Sequence, residues 1–134
     1  MIPEDRTYTR NHEWVKLDEA VVQMGLTAPL LKTMGPIISV ELPSADDEMM
    51  VGIPLGIVEF LNGIHEIMPP ADATILEVNK GLEWDIESLA KDPYGKGWLL
   101  KIKVHEPAQL RNLLIASAYR EHCKQSWGEE LDLD

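Results

Sequence analysis

The chain has 134 residues, 45% of them hydrophobic, which is enough for one domain to bury a core without metal or disulfide support. Twelve basic against twenty-three acidic side chains leave a formal net charge of −11, so phosphate backbones and anionic lipid surfaces are repelled and nucleic acid and membranes are poor partners. The single cysteine, Cys123, cannot close an internal bridge, which favours a reducing compartment, the cytoplasm.

Residues 1–10 carry charges and a proline rather than a leader's apolar run, and no later segment approaches bilayer-spanning length, so neither export nor insertion is expected. Residues 8–27 break into short apolar runs around a polar Leu17-Asp18-Glu19-Ala20 stretch, which predicts a first pair of strands and a turn. Thr27 is a good N-cap for a short helix over 28–34, and Gly35-Pro36 stops it. Residues 37–42 read as a strand and 43–47 as a turn. Further β material over 49–60 is punctuated by Gly52, Pro54 and Gly56.

Asn62-Gly63 stands between apolar flanks and predicts a hairpin whose type I′ turn places these two residues at its centre, because both tolerate positive φ. A strand follows over 74–78, then a turn at Lys80-Gly81, a helical turn over 83–90, a loop over 91–97 and a strand over 98–104. From Glu106-Pro107 onward, Leu110, Leu113, Leu114, Ala118, Tyr119 and His122 recur at helical spacing, predicting a C-terminal amphipathic helix packed on the sheet. A weak echo links the run 58–63 to 77–81 and would reflect two similar β halves or two similar turns. The acidic runs, Asp46-Asp47-Glu48 and the tail 128–134, read as solvated loop and frayed terminus.

No phosphate loop, dinucleotide fingerprint, nucleophile elbow, zinc protease helix or paired cysteine motif is present, so no enzyme activity is expected. His12, His65 and His105 each precede a glutamate, and on a strand such neighbours face opposite ways. A metal would need the fold to bring His12 and His65 together, and no metal is expected. Cys123 reads as an inert, buried or half-buried thiol.

Several segments occur together in one order: Tyr8-Thr9-Arg10-Asn11-His12-Glu13-Trp14-Val15, Met24-Gly25-Leu26-Thr27, Val40-Glu41-Leu42-Pro43, Gly56-Ile57-Val58-Glu59, Glu77-Val78-Asn79, and Asp92-Pro93-Tyr94-Gly95-Lys96-Gly97-Trp98 continuing through Ile102. In order and spacing they resemble the H protein of the glycine cleavage system, over residues 8–119. The resemblance implies a mainly β fold, a lipoyl-type barrel-sandwich hybrid of two β layers with short helices and a C-terminal helix. It implies one domain over 1–134, with its core at about 8–119 and an acidic tail at 128–134.

In that family a hairpin presents V-E-S-x-K-A, whose lysine carries lipoate as an amide. Here the ungapped match is Val58-Glu59-Phe60-Leu61-Asn62-Gly63, with Asn62 where the family has lysine. An amide nitrogen is not nucleophilic, so no lipoate is expected at Asn62 and the family's activity does not carry over. Asn-Gly suits a turn, so the fold is expected to survive the loss. The resemblance also implies that positions matching Glu13 and Glu66 house the charged end of a loaded arm. Two family glycines are replaced, by Asp46 and Ala73.

The leading expectation is a binding module that docks an enzyme of lipoyl or one-carbon metabolism. The candidate contact residues are Glu59, Phe60, Leu61, Asn62, Gly63, Ile64, Glu66 and Glu13. The alternatives are a working carrier modified elsewhere, at Lys80 or Lys32, and a small-molecule or metal site around His12, His65 and Glu66 in the vacated cleft.

Overall fold

A computed structural model describes residues 1–18, 21–129 and 133. Among these, nine strands form two layers. Strands β1 (Thr7–Tyr8), β2 (Glu13–Asp18), β3 (Val21–Leu26), β5 (Glu48–Met49), β8 (Ala73–Val78) and β9 (Leu100–Val104) make a six-stranded sheet in the order β1-β2-β3-β9-β8-β5. Strands β4 (Ile37–Glu41), β6 (Gly56–Phe60) and β7 (Gly63–Ile67) make a three-stranded sheet in the order β4-β6-β7. This is the two-layered β architecture expected, with every strand pair antiparallel.

The period-2 alternation of each strand sends one face inward. Val58, Phe60 and Ile67 from the small sheet meet Met24, Leu26, Ile75, Leu100 and Ile102 from the large one in a closed apolar core. A second cluster forms outside the large sheet, where Tyr8 and Trp14 are fully buried beneath Tyr119, Cys123, Ile2 and Leu133. Tyr8 and Tyr119 stack there with ring centroids 4.6 Å apart.

The recurring motifs have packing reasons. Gly25 lies opposite Trp14 across β2 and β3, and a Cβ at Gly25 would stand 2.7 Å from the indole. Only glycine lets that ring lie flat on the neighbouring strand, where Nε1 donates to Pro93 O at 3.0 Å and Arg6 covers the ring at 4.7 Å. In the 92–98 turn, Asp92 Oδ2 accepts from Lys96 N at 2.9 Å, and Gly97 passes so close to Leu89 that a Cβ would meet its Cα at 2.8 Å.

Helix α1 (Ala28–Met34) begins at Thr27, whose side chain accepts from Leu30 N, and ends at Gly35, φ +81°. A short α2 (Ser88–Lys91) begins later than the sequence pattern places it. The Lys80-Gly81 turn is the start of a 3-10 helix, Lys80–Glu83, capped by Asn79 Oδ1 accepting from Gly81 N at 3.0 Å. That cap is unlike the β6–β7 tip, so the sequence echo is not a repeated turn.

The C-terminal region departs most from expectation. Pro107 opens a 3-10 helix, Pro107–Asn112, the chain then extends, and α3 (Ala116–Trp127) starts only afterwards. The break lets Leu114 pair its backbone with Tyr8, N to O at 2.8 and 2.7 Å. Leu110, Leu113 and Leu114 therefore precede the helix, Ala118 is exposed, and of the expected stripe Tyr119 is the helical residue fully buried. The turn expected at 17–20 falls partly outside the described residues, as do Glu130, Leu131, Asp132 and Asp134. Leu133 of the supposedly frayed tail packs into the second cluster.

Candidate functional site

The hairpin of β6 and β7 runs in register from Gly56↔Ile67 to Phe60↔Gly63. That register puts Leu61 and Asn62, not Asn62 and Gly63, at the centre of the turn. Neither has positive φ, so the turn is not type I′, and Gly63 instead spends its backbone freedom as the first residue of β7, at φ +143°. The reason lies beyond the hairpin: Leu61 N donates to Pro36 O at 2.8 Å, tying the tip to the chain leaving α1. Asn62 folds back on the same place, its Nδ2 standing 3.0 Å from where a Gly35 Cβ would be, and Met34 lies against Gly63.

Alternation divides the candidate residues in two. Phe60 is 2% exposed and belongs to the core, so it is corrected from a surface contact to a core anchor that the two-layer packing requires. Leu61 (67% exposed) and Ile64 (61%) do project to solvent, with Ile38 (55%) in the β4 bulge beside them. Glu59 and Glu66 flank this ridge on the outer face. Glu59 Oε1 accepts from Ser39 Oγ at 3.2 Å. The result is a small apolar ridge edged by carboxylates.

Glu13 is also corrected, because it is fully buried and cannot touch a partner. Its carboxylate accepts from Thr9 Oγ1 at 2.5 Å, Asn11 Nδ2 at 2.6 Å, His65 Nε2 at 3.2 Å and Met68 N at 3.2 Å. Asn11 Nδ2 also donates to Glu66 O at 2.9 Å, stitching the 9–12 turn to β7. A carboxylate so supplied with internal donors is a structural acceptor. Glu66 keeps only its backbone in this network and its side chain faces outward, so the two carboxylates do not converge.

His12, with φ +69°, belongs to a different cluster. Its ring stacks on Trp127 at 4.3 Å and His122 at 5.1 Å, and Nδ1 meets the Tyr119 hydroxyl at 2.8 Å. That hydroxyl also bonds Thr27 Oγ1 at 2.7 Å, and His122 Nε2 donates to Arg10 O at 2.7 Å. Burial, then the neighbouring His122 and His65, hold His12 down at about 4. Nδ1 of His12 is engaged by Tyr119, and Nε2 of His65 by Glu13. Among the described residues, no group of three or more His, Cys, Asp and Glu is placed to hold a metal. Cys123 is buried, and burial raises its thiol.

The sequence reading missed Asn11 and His65 as the partners of Glu13. The Asn-x-Glu spacing was a usable signal for the first, whereas His65 lies 52 residues away.

Comparison with known proteins points one way. The family model described as glycine cleavage H-protein matches residues 6–126. A glycine cleavage system H protein of Staphylococcus epidermidis is 38% identical over 120 residues, 90% of this chain and 95% of that one. One from Acaryochloris marina is 39% identical over 118 residues, covering 88% and 92%. The crystal structure of a glycine cleavage system H protein from Mycobacterium marinum superposes with a TM-score of 0.81 at 31% identity, covering 93% of this chain and 98% of that one.

Proposed function

Because the chain belongs to the glycine cleavage H-protein family, we propose that it is a carrier fold without a carrier arm, which docks an enzyme of lipoyl or one-carbon metabolism through its β6–β7 hairpin. The observation that carries this is Asn62. The fold brings an amide, laid against Gly35, to the hairpin tip where the resemblance implies a lysine amine, and an amide does not accept a lipoyl group. The residues at the hairpin tip therefore do not fit lipoate.

What remains at the tip suits contact. Leu61 and Ile64 stand exposed on a short, antiparallel hairpin whose turn is pinned to Pro36, so little ordering entropy is lost on binding. Glu59 and Glu66 at the margin favour a partner with basic groups around an apolar pocket. The test is biolayer interferometry of the purified chain against the host's glycine decarboxylase and aminomethyltransferase, with a Leu61→Ser, Ile64→Ser variant alongside. The proposal expects saturable binding to one of them and a loss of about tenfold or more in the variant. Equal binding by the variant, or none by the parent chain, overturns it.

A further inference from the structure

Away from the hairpin, the two layers part along one side. Strand β4 is one of the two outer strands of the three-stranded sheet. On the large sheet β5 pairs only with Ala73 and Thr74 of β8, and the 46–47 loop bonds Ile75 in both directions, at 2.7 and 2.9 Å. Residues 76–78 run on past that cover. The uncovered margins of β4 and β8 line one open cleft of about 1460 Å³, which shares no lining residue with the hairpin tip.

The floor of this cleft is apolar, with Val40, Val78, Leu82, Ile86 and Trp98. Its rim is acidic: Glu41 from β4, Glu77 from β8 and Glu83 from the 3-10 helix, against a single cation, Lys80. Glu77 is 3.5 Å from Lys101 Nζ, whereas no ion pair engages Glu41 or Glu83 among the described residues. An uncovered strand margin offers backbone donors and acceptors to an incoming strand, and the rim decides which strand is accepted.

We propose that this cleft takes an extended segment of a partner protein in which basic and aliphatic residues alternate, added as a strand along β4. Alternate side chains of such a segment point to opposite faces, so its aliphatic groups reach the floor while its lysines or arginines meet Glu41 and Glu83. A second copy of the chain is disfavoured as the occupant, since a net charge of −11 and the same acidic rims would face each other. This inference stands independently of the hairpin reading.

The experiment is an NMR titration of the full chain with a capped peptide alternating lysine and valine. Saturable shifts centred on the amides of 40–42 and 76–79 are expected. Glu41→Lys with Glu83→Lys weakens binding by about tenfold or more, whereas Glu4→Lys with Glu121→Lys, equal in charge and exposed elsewhere, leaves it within about twofold. Peptides methylated at alternate backbone nitrogens, in both registers, separate strand addition from simple charge attraction: one register must abolish binding. Shifts scattered over the acidic surface, equal effects of the two double variants, or undiminished binding by both methylated peptides overturn the proposal.

Discussion

Replacing Glu13 by alanine separates a structural carboxylate from one held ready for a ligand. Of its four donors, Thr9, Asn11 and the Met68 N–H belong to half-buried residues and recover water when the carboxylate goes. His65 Nε2, on a buried side chain, does not. At about 1–3 kcal/mol for a buried donor left without an acceptor, the loss is about 1–3 kcal/mol. With a urea m-value of about 1.5 kcal/mol/M, the unfolding midpoint falls by about 0.7–2 M at unchanged m. Should that variant fail to fold, Glu13→Gln keeps one acceptor oxygen and costs less, about 1 kcal/mol. Urea unfolding followed by far-UV circular dichroism reads both. A loss below about 0.5 kcal/mol in both variants would refute the reasoning and mark Glu13 as available for binding.

Stability should also fall with acid through His12, whose folded value of about 4 lies below its ordinary 6.5. The unfolded chain takes up the proton first, so this stabilisation is complete above pH 6.5 and drains away as pH falls toward 4. At about 1.4 kcal/mol per pH unit and discounted for partial exposure, it amounts to about 2 kcal/mol, and His12→Asn, which tolerates the left-handed backbone, should remove that share of the acid sensitivity in chemical denaturation at pH 7 and pH 4.5. Gly25→Ala should cost about 2–3 kcal/mol in the same assay, because its methyl would stand 2.7 Å from the Trp14 ring. Asp46 sits at φ +73°, so Asp46→Gly should raise the thermal midpoint, with a gain of about 0.5–1 kcal/mol; a drop would show that the Asp46 side chain contributes something the backbone account omits.

The architecture was legible because strand alternation and the shared motifs are local signals. The misread details are those decided from a distance. The frame of the β6–β7 turn shifted by one residue because Leu61 answers to Pro36, a contact the hairpin's own sequence does not contain. The start of α3 moved because Leu114 leaves the helical pattern to pair with Tyr8. Phe60 looked like part of an exposed tip, yet the register with Gly63 turns it inward. Glu13 reads as a surface carboxylate by type, and only the arrival of His65 and Met68 N explains its full burial. Asp46 shows the reverse case: where the resemblance implies a glycine, an aspartate here adopts the left-handed backbone, at φ +73°.

The resemblance sets Asn62 where the family has its attachment lysine, and the proposal that no lipoate is carried there is the centre of the account. The most direct test is the denatured intact mass of the protein purified from its native source, where the host's own modifying enzymes have acted on it. The account predicts the unmodified mass. A lipoyl-sized increment, mapped by peptide sequencing to Lys80, Lys32 or any other lysine, would contradict it and return the chain to the carriers.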